Sequence, residues 1–232
     1  MNKILVFAGT YNESKNILKF INGVFESSNQ VNLLIVDDNS PDKTFEIVNS
    51  HNQINKKLFL VKREKKLGLD TAHKLAYDYA KEKGYEKLIT MDADLSHDPK
   101  EIPKFINLLH QYEFVIGSRY TKGAKNEQPL FRFLISYFGN KLIKILLNSP
   151  LDEHTTSYRG FDLIKLRNFD LNKVNVSGYS FFMGTIHALR LNGYNMIEIP
   201  IIFSDRVYGE SKIPKIEIFR TLFNLLKFCF KK

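Results

Sequence analysis

Residues 88–99 have the sequence LITMDADLSHDP, in which a short apolar run leads directly into two aspartates one residue apart. Apolar runs of this length are typical of buried strands. Burying a single unpaired carboxylate costs several kcal/mol. Asp92 and Asp94 therefore indicate a bound cation, a hydrogen-bond network or an exposed turn at the end of this strand.

Apolar runs of the same kind alternate with segments of helical period through the first half of the chain. Strands are predicted at 3–9, 32–37, 57–62, 87–92 and 113–118, and helices near 13–27, 42–50, 69–83 and 99–111. The second half predicts helices at 129–147 and 180–191, a strand at 196–203 and an amphipathic helix from 214 to 232. This order predicts an α/β fold with a mostly parallel sheet flanked by helices on both faces.

Polar clusters follow three of the predicted strands. They are Thr10-Tyr11-Asn12-Glu13, Asp37-Asp38-Asn39-Ser40 and Asp92-Ala93-Asp94. Because parallel sheets bind ligands at the carboxyl ends of their strands, these clusters predict one site at that edge.

The Asp92–Asp94 pair suits Mg²⁺ or Mn²⁺, which bind a few carboxylates and complete their shell with substrate phosphate and water. Alternation along a strand would direct both carboxylates to the same face. A chance pair in a surface turn is the alternative, and a capped strand–helix turn is the alternative for Asp37 and Asp38.

Composition and missing motifs exclude several classes of protein. The 232-residue chain is 44% hydrophobic, enough for a folded core. Its single cysteine, Cys229, excludes an internal disulfide and a cysteine-based zinc cluster. Neither common phosphate loop is present. The first apolar run is too short for a signal peptide and no stretch is long enough to span a membrane, so we expect a cytoplasmic protein.

The net charge of +9 predicts an anionic partner. Basic residues cluster at 119–144 and 211–232, which are also rich in Phe, Leu and Ile, a combination that favours an anionic lipid surface over duplex DNA. In the helix at 129–147, Arg132, Ser136 and Asn140 are four residues apart and form one polar seam. A solvent-facing stripe is the alternative.

Six ordered motifs between residues 4 and 212 resemble those of the dolichyl-phosphate mannosyltransferases, in family 2 of the inverting glycosyltransferases. They are Thr10-Tyr11-Asn12-Glu13, VDDNSPDKT (36–44), KLGLDTAH (66–73), MDADLSHDP (91–99), GSRY (117–120) and DRVYGESK (205–212). The resemblance implies a GT-A fold, Rossmann-like with a mostly parallel sheet, over 1–212. For residues 213–232, the helical spacing of the apolar side chains and the nearby lysines predict an amphipathic membrane-surface helix, and a packed terminal helix is the alternative.

The resemblance also implies roles for individual residues. The nucleotide sugar is assigned to Thr10, Tyr11, Glu13, Asp37, Asp38 and Asp92, and the Mg²⁺ or Mn²⁺ ion to Asp92 and Asp94. Asp94, Arg119 and Arg206 are assigned to catalysis, and Arg132, Ser136 and Arg159 to the acceptor and donor phosphates. Ser96 takes a position where relatives often have Gln as a further metal contact.

The activity implied is transfer of a hexose, first of all mannose from GDP-mannose, to dolichyl or undecaprenyl phosphate at the inner face of a membrane. Two departures lie on the sugar and acceptor side: residues 121–128 lack the usual Gly-rich, Trp-containing loop, and HTTSYRGF (154–161) replaces a T-S-G-F-R pattern. A UDP-hexose donor with a polyprenyl phosphate or glycan acceptor therefore stays open. So does a non-catalytic protein that binds anionic surfaces; nucleic acid is not expected as a partner, and the oligomeric state stays open.

Overall fold

The computed structural model describes residues 3–204 and 216–230. Its strands are β1 (Ile4–Thr10), β2 (Val31–Asp37), β3 (Leu58–Lys62), β4 (Lys87–Thr90), β5 (Phe114–Ser118), β6 (Lys125–Asn126), β7 (Arg159–Asp162), β8 (Met196–Pro200) and β9 (Ile202–Phe203). Its helices are α1 (Ile17–Ser27), α2 (Thr44–Asn49), α3 (Leu69–Glu82), α4 (Ile102–Leu108), α5 (Leu130–Leu146), α6 (Tyr179–Leu191) and α7 (Ile216–Phe230). Each predicted helix and strand is present, most within a few residues of its expected bounds.

A seven-stranded sheet in the order β3-β2-β1-β4-β7-β5-β8 forms the centre of the described structure. β7 runs antiparallel to both of its neighbours, and the other pairs are parallel. The predicted α/β class with a mostly parallel sheet is confirmed. The predicted strand at 196–203 is divided, because β8 joins this sheet whereas β9 pairs with β6 in a separate two-stranded sheet.

Both faces of the large sheet are buried, which explains the nearly continuous apolar runs. In β1, Leu5 and Phe7 join one cluster with α3 and α6, whereas Val6 and Ala8 join a second cluster with α1 and α4. Helices on both sides therefore hold the strands so that the carboxyl ends of β1, β2 and β4 meet at one edge.

The antiparallel strand β7 was not predicted from the sequence. Its four residues are all buried between β4 and β5. A side chain at Gly160 would meet Leu109 at 3.0 Å and Phe105 at 3.1 Å, so α4 packs directly on the backbone of this strand. The loop before β7, residues 152–158, lies beside the turn that follows β4 and so helps to form the site.

Candidate active site

The ends of β1 and β2 are joined through side chains. Thr10 and Asp37 are register partners, and the Thr10 hydroxyl donates to the Asp37 carboxylate at 2.9 Å. The Ser40 backbone N–H and hydroxyl donate to the same carboxylate at 2.9 and 2.6 Å. Asp37 is fully buried. In this structure Thr10 and Asp37 thus join the ends of β1 and β2, and their predicted contact with the nucleotide stays a prediction.

Arg63, which the sequence analysis did not select, holds the neighbouring Asp38. Its Nε pairs with the Asp38 carboxylate, while its other nitrogens donate to the Thr71 hydroxyl at 2.5 Å and the Gly68 carbonyl at 3.0 Å. The only signal for Arg63 was the basic run KREKK at 62–66, directly after a strand. This pair joins the ends of β2 and β3 to the start of α3.

Tyr11 and Glu13 lie in the turn between β1 and α1. The Lys66 ammonium lies 4.3 Å from the centroid of the Tyr11 ring, a cation–π distance. The Glu13 carboxylate accepts a hydrogen bond from Asn16, and the Glu13 backbone N–H donates to the Thr44 hydroxyl of α2. The structure therefore brings the predicted nucleotide residues of β1 and β2 to one edge, next to a basic loop.

Asp92 and Asp94 lie in the turn beyond β4, since that strand ends at Thr90. The expectation that strand alternation aligns them is therefore wrong. Leu95 takes a left-handed conformation (φ 66°), which tightens this turn. The Asp92 side chain is 36% exposed, and its carboxylate accepts from the Ser157 hydroxyl at 2.6 Å.

Asp94 is more deeply placed than Asp92. Its carboxylate accepts from the Ser96 backbone N–H at 3.1 Å and from the Ser96 hydroxyl at 2.6 Å. Ser96 is 1% exposed and therefore supports Asp94 from within the turn. Its position does not support the idea of a metal contact at Ser96.

The donor set fits a divalent ion of the magnesium type. Among residues 3–204 and 216–230, no group of three or more His, Cys, Asp or Glu side chains is arranged to hold a metal. Two carboxylates are nevertheless what Mg²⁺ and Mn²⁺ use when phosphate oxygens and water complete their shell. Asp92 and Asp94 are the residues that would hold such an ion.

Arg119 is engaged by a buried acid rather than open for phosphate. Its guanidinium pairs with Glu153 through two hydrogen bonds of 2.8 and 2.9 Å and donates to the Thr155 hydroxyl at 2.7 Å. Burial disfavours the Glu153 carboxylate, but the Arg119 charge prevails and lowers the pKa of Glu153 to about 2. In this structure Arg119 holds the 153–155 segment, and its predicted catalytic role stays a prediction.

Arg159 is buried and bound to backbone carbonyls, so the structure lends no support to its predicted phosphate role, which stays a prediction. It is 1% exposed, and its guanidinium donates to the carbonyls of Thr156, Phe182 and His154 at 2.7–2.9 Å. It also lies 4.5 Å from the centroid of the Phe182 ring. The family motif identifies an arginine at this position, but it does not reveal that Arg159 begins β7 and is buried in the core.

The polar seam of α5 faces the protein. The Ser136 and Tyr120 hydroxyls are 2.5 Å apart, and Asn140, only 2% exposed, accepts from the His154 backbone N–H at 2.7 Å. Arg132 is exposed near the start of the helix. The seam thus connects α5 to the 153–157 segment, whose Ser157 reaches Asp92.

The rest of α5 presents apolar side chains to the outside, and the helix buries only Asn140 and Ile143. The exposed apolar face comprises Leu130, Phe131, Ile135, Phe138 and Ile145 of α5, with exposed fractions from 47 to 74%, and Leu222, Phe223 and Leu226 of α7, from 45 to 69%. α7 packs on α5 and α6 through its buried Leu225. Arg206 and the motif at 205–212 lie outside the described residues.

The chain is similar to proteins of known family. The sequence profile of Glycosyl transferase family 2 matches residues 6–169. An undecaprenyl-phosphate mannosyltransferase of Micrococcus luteus is 32% identical over 91% of this chain and 87% of its own. A polyprenol monophosphomannose synthase of Mycolicibacterium smegmatis is 30% identical over 96% of this chain and 85% of its own.

Solved structures share the fold. Glucosyl-3-phosphoglycerate synthase from Mycobacterium tuberculosis, in complex with Mn²⁺, UDP and glucosyl-3-phosphoglycerate, superposes with a TM-score of 0.65 at 16% identity, over 98% of this chain and 80% of its own. A mannosyltransferase from Pyrobaculum calidifontis, in complex with GDP-Man and Mn²⁺, superposes with a TM-score of 0.60 at 18% identity, over 90% of this chain and 58% of its own. These likenesses confirm the GT-A fold expected from the sequence.

Proposed function

The chain belongs to glycosyltransferase family 2, and we propose that this glycosyltransferase moves mannose from GDP-mannose to a polyprenyl phosphate at a membrane surface. Dolichyl and undecaprenyl phosphates are the acceptors expected from the motifs. The two relatives named above, both about 30% identical over most of the chain, carry names that specify this class of acceptor and this sugar. These names do not specify the donor nucleotide, so GDP is part of our proposal.

The donor site is assigned to the carboxyl edge of β1, β2 and β4. Thr10, Tyr11, Glu13, Asp37 and Asp38 form its nucleotide side, in part by shaping the loops. Asp92 and Asp94 would hold Mg²⁺ or Mn²⁺, which would supply positive charge to stabilise the leaving diphosphate. Arg206 is assigned to the same phosphates from its motif.

The acceptor explains why the site needs no general base. A phosphate monoester has a second pKa of about 6, so it is mostly dianionic at neutral pH. One of its oxygens forms the new bond to the anomeric carbon of mannose while the bond from that carbon to the diphosphate breaks. GDP leaves with the bonding electrons, and the anomeric configuration inverts. Arg132 and Ser136 are proposed to orient the acceptor phosphate.

The observation that carries the proposal is the position of α5 between lipid-compatible surface and donor site. One side of the helix carries the exposed apolar face, with Arg132 and Lys141 exposed on the same helix. The other side connects through Asn140 and the 153–157 segment to Asp92. Such an arrangement suits an acceptor whose phosphate must reach the donor while its prenyl chain remains in a bilayer.

Peripheral binding at the inner face of the membrane follows from this proposal. None of the helices in the part of the chain that the structure describes is both long and apolar enough to cross a bilayer. The exposed apolar face and its basic neighbours instead suit an interfacial position. As part of the proposal, the chain is divided into a catalytic domain at 1–212 and a membrane-surface helix at 213–232. Within that helix, α7 also packs on α5.

Thermal stabilisation by GDP, UDP and their sugars, each with and without Mn²⁺, tests the donor assignment. A Mn²⁺-dependent rise in melting temperature with GDP and GDP-mannose is expected. A rise confined to the UDP series would move the donor to a UDP-hexose. No rise with either series would contradict the nucleotide-sugar site and favour a non-catalytic binding protein.

A further inference from the structure

His97 lies directly behind the first aspartate of the proposed metal pair. Its ring is 1% exposed, and its Nδ1 accepts a hydrogen bond from the Asp92 backbone N–H at 3.1 Å. The ring packs 5.0 Å from Tyr158 and 5.4 Å from Phe203, measured between ring centroids. Its backbone also forms an antiparallel bridge with Phe203 of β9. His97 is thus fixed from several directions while it contacts Asp92.

The contacts determine the state of the ring. A backbone N–H can only donate, so Nδ1 must lack a proton, and the neutral ring carries its proton on Nε2. Nε2 lies 3.1 Å from the Thr156 hydroxyl and donates to it.

The same segment that supports His97 also reaches the Asp92 side chain. Ser157, next to Thr156, donates to the Asp92 carboxylate at 2.6 Å. Thr90 at the end of β4 in turn donates to the Ser157 carbonyl at 2.5 Å. Both the backbone and the carboxylate of Asp92 are therefore held by a ring and a hydroxyl that are themselves anchored.

We propose that His97 and Ser157 are positioning residues that hold Asp92 in the orientation needed to bind the divalent ion. This inference rests on the proposed metal role of Asp92. Groups that orient a metal ligand are part of the site, because a ligand free to rotate loses entropy on binding, and their removal typically costs 10–100-fold in affinity. A core histidine that only packs against Tyr158 and Phe203 would not have this effect.

Three substitutions separate positioning from packing. His97→Asn keeps an acceptor oxygen near the place of Nδ1, whereas His97→Gln places its amide toward Thr156. Ser157→Ala removes only the hydroxyl that reaches the Asp92 carboxylate. His73→Gln is the matched control, because His73 is also buried, at 3% exposure, but packs among Phe7, Phe181 and Phe182.

The measurement is the Kd for Mn²⁺ in the presence of saturating GDP, obtained from the EPR signal of free Mn²⁺, on protein whose fold is checked by near-UV circular dichroism. We expect His97→Gln and Ser157→Ala to raise this Kd by about tenfold or more. His97→Asn should stay close to wild type, as should His73→Gln. In steady-state kinetics, the Mn²⁺ concentration that gives half the maximal rate should rank the variants in the same way as the Kd.

Equal Kd values in wild type, His97→Gln and Ser157→Ala would overturn the inference, as would equal losses in His97→Gln and His73→Gln. If His97→Gln does not fold, Ser157→Ala decides the outcome. If the wild type forms product and these Kd values are equal, only the positioning role is refuted and the proposed function stands. Wild-type protein that neither binds Mn²⁺ with GDP nor forms product would refute the proposed function and the inference together.

Discussion

At the scale of single residues, Asp94 is the side chain on which the proposed chemistry depends most. It is nearly buried, and both hydrogen bonds from Ser96 end on one of its oxygens. Asp94→Asn keeps an oxygen that can accept these bonds but removes the negative charge. We therefore predict a folded protein whose kcat/KM falls by about 10²–10³-fold.

Asp98→Asn is the control for this change, because Asp98 lies four residues further along and caps the turn at Pro99 by accepting from the Lys100 N–H at 3.0 Å. Its activity should stay near wild type. An Asp94→Asn enzyme with normal turnover at limiting Mn²⁺ would contradict the metal assignment.

The Arg119–Glu153 pair is predicted to be a major source of local stability. Replacing one member of a buried pair leaves the other charge without a partner, so Glu153→Gln should lower the free energy of unfolding at pH 7 by about 3 kcal/mol. Urea titrations measure this. The exposed Lys144–Asp152 pair provides the control, because Asp152→Asn should cost less than about 1 kcal/mol. Equal costs would contradict the assignment.

The same pair also predicts a response to acid. The pKa of Glu153 is lowered from 4.5 in an unperturbed carboxyl to about 2 in the folded protein. Its contribution is therefore complete above pH 4.5 and is lost as the pH falls toward 2. In Glu153→Gln this part of the acid sensitivity should be absent from urea titrations over the same range.

At the scale of elements, α5 provides the surface on which membrane binding depends. Its exposed phenylalanines Phe131 and Phe138 would each contribute about 1.5–3 kcal/mol if buried in a lipid interface. The double substitution Phe131→Ser and Phe138→Ser should therefore reduce binding to anionic vesicles by at least about tenfold in sedimentation assays.

Ile164→Ser is the control for α5, since Ile164 is 58% exposed but follows β7 at the opposite edge of the sheet, where Asp162 pairs with Lys87. It should bind vesicles like the wild type. If both proteins bind alike, the exposed apolar face has another purpose.

Glu198 in strand β8 should change the stability with pH in the opposite direction to Glu153. Glu198 accepts from the backbone N–H groups of Asp152 and Glu153 at 2.8 and 2.5 Å, and burial raises its pKa to about 7. The folded protein therefore binds a proton more tightly than the unfolded chain, and stability falls as the pH rises from 4.5 to 7. Glu198→Gln, which stays neutral, should gain melting temperature over wild type at pH 8 but not at pH 4.5. A difference that does not vary with pH would contradict this.

At the scale of the whole molecule, most of the fold was predictable because its strands are buried on both faces and are therefore continuously apolar. The parallel strands and their helices follow from that pattern. β7 does not, since four residues with Arg and Asp at the ends carry no strand signal. The site was predictable to the level of its edge, since Thr10, Asp37 and Asp92 lie at or just beyond the carboxyl ends of the neighbouring strands β1, β2 and β4.

The details that were missed depend on contacts between distant segments. Arg119 and Arg159 are basic residues in phosphate-like motifs, but only the three-dimensional structure shows that Glu153 and three carbonyls already bind them. Arg63 and His97 were missed as well. Arg63 binds Asp38, which lies at the end of another strand. His97 is five residues from Asp92 in the same turn, but it also contacts Thr156 of a distant segment.

The central claim is that this family 2 glycosyltransferase moves mannose from GDP-mannose to a polyprenyl phosphate. The most direct measurement is mass spectrometry of the lipid formed from GDP-mannose and undecaprenyl phosphate with Mn²⁺, using Asp94→Asn as the blank. We predict a mannosyl-phosphoryl polyprenol and an equal amount of GDP, both reduced by about 10²-fold or more in the blank. No lipid product with GDP-mannose or with UDP-hexoses, from protein that binds the vesicles, would contradict the claim.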